Sequence, residues 1–116
     1  MTVRVTPEAE ADVDDPHAWY EEERIGLGDA FLRVVDASIA SIQRRPEAYQ
    51  LVDETMRRAL LRRFPYGVFF EVVGTEVIVY GILHSLRERS EDLEAEKRRM
   101  RNRFTGRASR AGERDR

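Results

Sequence analysis

The sequence lacks several features that would point to a particular chemistry or location. It contains no cysteine, which excludes disulfide bonds, thiol catalysis and zinc–thiolate sites. Its only histidines are His17 and His84, too few for a histidine-rich metal site. No apolar run approaches the roughly 20 residues that span a membrane, and residues 1–10 have no signal-peptide core. We therefore expect a soluble cytoplasmic domain that needs no cofactor or metal and does not bind a membrane.

Charge is distributed unevenly along the chain, although the formal net charge is only -2. Residues 1–96 carry 11 Lys and Arg against 20 Asp and Glu, a net -9, whereas residues 97–116 carry 9 against 2, a net +7. A basic end on an acidic body indicates self-neutralisation or a segment that binds a polyanion. We predict one domain over residues 1–87, followed over residues 88–116 by a charged extension with a helix near 90–103 and a flexible basic tail.

A strand and a capped helix are predicted at the start of the chain. Residues 2–5 alternate polar and apolar side chains, as in a short strand. Thr6 then stands where a helix N-cap belongs, with Pro7 at the first helical position. Because Pro16 lacks the amide hydrogen that a helix interior uses, this helix should kink or split near Asp15.

The sequence also predicts roles for three side chains later in the same helix. Trp19 and Tyr20 are predicted to pack onto a sheet rather than to bind a ligand, because large aromatic rings mostly serve cores. His17 is predicted to be exposed polar surface.

A second helix is predicted over residues 27–45. Its apolar side chains form one stripe at helical spacing, made of Leu27, Phe31, Val34, Val35 and Ile42. Pro46 ends this helix. The turn that joins the helix to the one before it contains glycine. Two helices joined by such a turn predict an antiparallel helical hairpin.

The second half of the chain has the composition of a sheet. Strands are predicted over residues 49–52, 57–64, 68–73 and 76–84, with a turn at residues 65–67. Gly74 at the first position of a two-residue loop predicts a type II′ hairpin. The last two strands are apolar throughout, which predicts cover on both faces, by the helical hairpin on one and by a partner chain on the other.

Together these elements predict an α+β domain. An N-terminal strand and a two-helix antiparallel hairpin would pack on a small, twisted, mainly antiparallel sheet of four to five strands.

The strings ALLRRFPYGVFFEV and IVYGILHSLR, separated by the predicted hairpin, resemble the C-terminal sheet of the RelE/ParE superfamily of bacterial toxin–antitoxin systems. The upstream string WYEEERIGLGDAFLRVVDASIASIQRRPEAY resembles that family's helical hairpin and following strand. The resemblance covers about residues 3–87, in the family's order. It implies a plasmid stabilisation toxin with a cognate antitoxin that wraps and neutralises it, and through which any oligomer forms.

The resemblance leaves three alternatives for activity. One branch of the family cleaves messenger RNA on the ribosome by acid–base chemistry without a metal. In that branch His84 would shuttle protons, with Arg62 and Arg87 holding the reacting phosphate. The remaining residues of such a site would bind the target: Arg57, Arg58, Arg63 and Tyr66, the last by stacking on a base. A second branch inhibits DNA gyrase without catalytic residues of its own, and the third alternative is an inactive family member.

Three departures from the nuclease pattern weigh against RNA cleavage. No lysine lies between Met56 and His84, where some nuclease members rely on lysine. Tyr66 and Gly67 stand where several nucleases carry a phosphate-contacting arginine. After Arg87 the chain continues into a charged extension, whereas the family commonly ends with a proline and a tryptophan.

Ordinary structural roles are alternatives for the same residues. His84 at the end of an apolar strand also fits a packed or capped histidine. Arg62 and Arg63 also fit surface ion pairs with Asp53 or Glu54, where an exposed pair contributes about 0–1 kcal/mol. The basic run near residue 100 equally fits a solvated helix face.

Overall fold

Strands and helices follow one another in the predicted order. The computed structural model describes residues 1–84, so the helix predicted over 90–103, the basic tail and Arg87 lie outside the described residues. The elements are β1 (Thr2–Val5), α1 (Pro7–Ala11), α2 (Asp14–Glu23), α3 (Leu27–Arg44), a 3-10 turn (Pro46–Ala48), β2 (Gln50–Asp53), β3 (Met56–Leu60), β4 (Tyr66–Val73) and β5 (Glu76–His84). Within the described part of the chain, no helix is long and apolar enough to cross a membrane.

The first helix splits as predicted, but one turn earlier than Asp15. Thr6 caps α1, its hydroxyl oxygen accepting the amide hydrogen of Ala9 at 3.2 Å. The break falls after Ala11, and α2 begins at Asp14. A proline ring clashes with the carbonyl four residues before it, which for Pro16 belongs to Asp12. The disruption therefore appears at Asp12 and not beside the proline.

Helices α2 and α3 approach each other closely at Gly28. A Cβ atom at this position would lie 2.5 Å from the carbonyl oxygen of His17 and 2.6 Å from Cγ of Glu21. Glu21 also bonds this glycine, because its Oε1 accepts the Gly28 amide hydrogen at 2.9 Å. The predicted helical hairpin is confirmed, and its contact depends on a residue without a side chain.

Replacing Gly28 by alanine is expected to lower the free energy of unfolding. The new methyl group meets backbone, which cannot rotate away, so overpacking of about 1–3 kcal/mol outweighs the helix propensity of about 1 kcal/mol that alanine adds. Urea denaturation measures the change. Gly26→Ala is the control, because it meets no atom within 4 Å and tests only the strain of a positive φ. A Gly28→Ala protein as stable as the parent would contradict this packing.

All five strands form one sheet in the order β1-β5-β4-β3-β2. Strand β1 runs parallel to β5, and the other neighbours are antiparallel. The β4–β5 connection has the predicted two-residue loop, with Val73 opposite Glu76 and Gly74 at φ +62°. Thr75 has a negative φ, since Arg63 is the only non-glycine residue with a positive one in residues 1–84. That combination defines the type II′ turn.

Both faces of the central strands are buried. On the helix side the core contains Phe31, Val35 and Ile42 of α3 together with Val68, Phe70, Val77 and Val79 of the sheet. Side chains alternate between faces along a strand, which places Met56, Phe69 and Ile78 on the opposite side. These three are at most 7% exposed. The burial of both faces is confirmed, whereas the partner chain predicted to cover the second face stays a prediction.

Strand β3 is shorter than predicted, and the turn comes earlier. The strand ends at Leu60, and β4 already begins at Tyr66. The Leu61 amide hydrogen bonds the Tyr66 carbonyl at 2.9 Å, and the Tyr66 amide hydrogen bonds the Phe64 carbonyl at 2.8 Å. The second bond closes a three-residue turn around Pro65. The predicted turn at residues 65–67 therefore lies one residue earlier, at residues 64–66, and the connecting loop covers residues 61–65.

Candidate functional site

One end of the sheet brings together the loop after β3 and the last residue of β5. We call residues 60–66 together with His84 the loop end. Tyr66 lies directly opposite His84 in the β4–β5 ladder. Their rings meet edge to face, with centroids 5.1 Å apart. The loop end thus contains four of the residues that the sequence proposes for a site, namely Arg62, Arg63, Tyr66 and His84.

A β-bulge produces this pairing. Phe70 of β4 pairs with Val79 of β5. The next residue of β4 in the direction away from the hairpin turn, Phe69, pairs with Gly81. One extra residue in β5 shifts the register by one position, and an unshifted ladder would set Tyr66 opposite Leu83. Because side chains alternate between faces, the bulge moves His84 onto the face that carries Tyr66.

The loop presents exposed cations on a constrained backbone. Arg62 and Arg63 are both exposed, and Leu60 beside them is 61% exposed. Arg63 has a φ of +70°, a left-handed conformation that costs a non-glycine residue about 1 kcal/mol. Its guanidinium carbon lies 5.3 Å from the centroid of the Phe64 ring, a cation–π distance. The loop therefore holds Arg63 in a backbone conformation that is normally adopted by glycine.

Aromatic rings fix the loop end to the helices. The Phe64 ring lies 4.8 Å from Tyr20 of α2 and 5.3 Å from Phe31 of α3, measured between centroids. Tyr66 lies 5.2 Å from Phe31. Tyr20 thus packs onto the sheet as predicted, but Trp19 does not. Its ring contacts only the edge of Tyr20 within this aromatic cluster and is 57% exposed.

The phenols of this cluster stay protonated near neutral pH. Burial raises the pKa of Tyr66, and the neighbouring Tyr20 and Asp15 raise it further. Burial also raises the pKa of Tyr20. A phenol whose pKa lies above its usual value near 10 is not a base at pH 7. Tyr66 can therefore stack or donate a hydrogen bond, while proton abstraction would have to come from another group.

The remaining arginines lie elsewhere or are already engaged. Arg57 donates hydrogen bonds to the carbonyl oxygens of Tyr49 at 2.7 Å and Glu47 at 3.4 Å, which attaches β3 to the segment before β2. Arg58 lies on the face opposite the helices, and its Cγ is 3.1 Å from where a Cβ of Gly67 would be. Arg87 lies outside the described residues. The structure thus groups Arg62, Arg63, Tyr66 and His84, and separates Arg57 and Arg58 from them.

The alternative ion pairs of the loop arginines are not formed in the described part of the chain. There the ion pairs are Arg4 with Glu76 and His17 with Asp29. Asp53 pairs with Met56 in the ladder, near the other end of β3 from the loop. The positive charge of Arg62 and Arg63 is thereby available to an anionic or polar partner.

Sequence reasoning missed three members of the loop end and its support. Leu60 is correctly predicted as a strand residue but not as part of this surface, Phe64 is predicted as a strand residue without a role, and Asp15 is predicted only as a helix break. The signal for Phe64 was its position between two arginines and Pro65, which predicts a loop residue that must be buried. Nothing local in the sequence indicates that Asp15 comes near Tyr66.

Comparison with known proteins gives one family and one fold. A family model described as "ParE toxin of type II toxin-antitoxin system, parDE" matches residues 3–89. Among nine matching chains of solved structures is one described as "Chromosomal ParDE TA system from P. aeruginosa". It is 20% identical, with a TM-score of 0.66 over 73% of this chain and 96% of its own. At 20% identity this comparison shows a shared fold and nothing further. No curated protein matches the chain.

Proposed function

Because the chain belongs to the ParE toxin family of type II toxin–antitoxin systems, we propose that it stops growth by inhibiting DNA gyrase without cleaving RNA. The observation that carries this proposal is the family match, since the gyrase inhibitors are the ParE-type branch of the superfamily. As the toxin of such a system the chain has an antitoxin as its partner. We assign the activity to residues 1–87 acting in the cytoplasm, with residues 88–116 as an extension.

The loop end supports a binding role. Exposed arginine side chains are enriched at protein–protein contacts, where arginine and aromatic residues carry most of the binding energy. Leu60, Arg62 and Arg63 are exposed on a loop that Phe64 anchors. Gyrase works on DNA, so its complex also offers phosphates that a guanidinium binds in two-pronged fashion.

RNA cleavage is the second candidate, and the Tyr66–His84 pair is the observation that favours it. The loop end carries this histidine and two exposed arginines, the residue types that 2′-hydroxyl attack on a phosphate requires. RNA cleavage comes second for two reasons. Arg57 and Arg58 do not join the pair, and no lysine lies between Met56 and His84.

Induced expression without the antitoxin separates the two mechanisms. We expect plasmid DNA to lose negative supercoils and chromosomal breaks to accumulate, while messenger RNA in the same culture stays intact. Cut messages with normal plasmid supercoiling would assign the chain to the ribonuclease branch. Normal growth and normal supercoiling at high expression would assign it to the inactive members.

His84→Ala sharpens this comparison. General acid–base catalysis contributes about 10²–10⁴-fold, so a ribonuclease should lose at least 100-fold in activity. A gyrase inhibitor should lose no more than several-fold, because inhibition by binding requires no proton transfer.

A further inference from the structure

The junction of α2 and α3 carries a group of potential metal ligands that neither proposed mechanism uses. His17 and Glu21 are four residues apart in α2 and share one face of that helix, while Asp29 lies in the first turn of α3. One ligand atom from each lies within 4.8 Å of the other two. We propose that these three side chains bind a divalent transition-metal ion, with Zn²⁺ the best match.

The donor atoms suit zinc in type and in spacing. Zn²⁺ binds imidazole nitrogen and carboxylate oxygen at about 2.0–2.2 Å, which sets two ligand atoms of a tetrahedral site about 3.3–3.5 Å apart. Nε2 of His17 and Oδ1 of Asp29 are already 3.2 Å apart. Only the Glu21 carboxylate has to turn inwards, and water would complete the fourth position. His17, predicted as plain exposed surface, is thus half-buried and already directed at a carboxylate.

The ligands are held on a rigid frame. The close contact at Gly28 fixes α2 against α3, since a Cβ there would overlap the backbone of His17. The Gly28 amide hydrogen bonds Oε1 of Glu21, which leaves Oε2 for the ion and orients the carboxylate as outer hydrogen bonds do in metal sites. Part of the side-chain ordering that binding requires is therefore already present.

Local charge also favours a cation. Glu21 and Asp29 bring two negative charges together, and among residues 1–84 no arginine or lysine forms an ion pair with either. A divalent ion would neutralise the pair, which removes the repulsion between the carboxylates.

Calorimetric titration of the chelator-treated full chain with Zn²⁺ alone tests the proposal. We expect one equivalent to bind per chain and to raise the midpoint of thermal unfolding. His17→Ala and Asp29→Asn should each weaken binding at least about 10-fold, because losing an outer hydrogen bond alone costs 10–100-fold. His84→Ala is the matched control, which removes the other histidine and should leave zinc affinity unchanged.

Several results would overturn the metal site. They are the absence of a saturable one-equivalent heat, equal zinc affinity in Asp29→Asn and the parent, and Mg²⁺ binding as tightly as Zn²⁺. Mg²⁺ prefers six oxygen ligands and keeps its waters, so equal binding would indicate only attraction to exposed carboxylates. If circular dichroism shows His17→Ala to be unfolded, Asp29→Asn decides, because an amide oxygen keeps the acceptor for His17 without the charge.

Discussion

Replacing Arg62 and Arg63 together by alanine is expected to abolish growth arrest. Both guanidinium groups are exposed on the loop end, and neither forms an ion pair within the described residues. An arginine at the centre of an interface contributes about 2 kcal/mol, so losing two should weaken target binding roughly 1,000-fold. Growth after induction and the protein concentration that half-inhibits supercoiling measure the effect.

A matched pair of arginines controls for charge. Arg33 and Arg44 are exposed on α3, so Arg33→Ala/Arg44→Ala changes the net charge equally while leaving the loop end intact. This variant should remain toxic. Arg63→Gly controls for stability, because glycine accepts the left-handed backbone and should leave the free energy of unfolding within about 1 kcal/mol of the parent. Full toxicity of the double alanine variant would exclude the loop end as the target surface.

Phe31→Ala is expected to cost about 3–5 kcal/mol of the free energy of unfolding, a large share of the roughly 5–15 kcal/mol of a typical domain. The ring is fully buried, and its centroid lies 5.3 Å from Phe64 and 5.2 Å from Tyr66. Its removal leaves a cavity beneath the loop end, so target inhibition should weaken as well. Urea denaturation measures the change in the free energy of unfolding.

Ile25→Ala is the control for Phe31→Ala. Ile25 is 93% exposed in the turn between α2 and α3, so its truncation should change stability by less than about 0.5 kcal/mol. A loss of under about 1 kcal/mol in Phe31→Ala would show that the aromatic cluster does not hold the loop end to the helices.

Local patterns predict the elements of this fold well. Three predictions depend only on residues within one helix, one turn or one strand, and all three are confirmed. They are the apolar stripe from Leu27 to Ile42, the Thr6 cap and the glycine at position 74 of the hairpin loop. The errors come from contacts between distant segments. Trp19 and Tyr20 are adjacent and equally aromatic, but only Tyr20 faces Phe31 and Phe64.

Contacts between distant segments also limit what the sequence predicts about the loop end. A two-residue hairpin loop fixes the register near Val73, and counting back from it places Leu83 opposite Tyr66. The bulge beside Phe69 replaces that partner by His84, and Gly81, which pairs with Phe69, is the one local signal for it, since a glycine inside a strand often marks a bulge. The residue types of the site were therefore predictable, whereas a glycine alone does not say which way the register shifts and so does not fix the face on which His84 lies. The same holds for His17, whose partner Asp29 depends on the helix contact at Gly28.

Purified gyrase provides the most direct measurement of the central claim, that this toxin acts by binding gyrase through the loop end. Relaxed plasmid, gyrase and ATP are incubated with increasing amounts of the parent protein or of Arg62→Ala/Arg63→Ala, and supercoiled and cleaved DNA are quantified. We predict that the parent blocks supercoiling and leaves gyrase-dependent DNA breaks, while the variant requires far higher concentrations. Gyrase that remains fully active in excess parent protein would contradict the account.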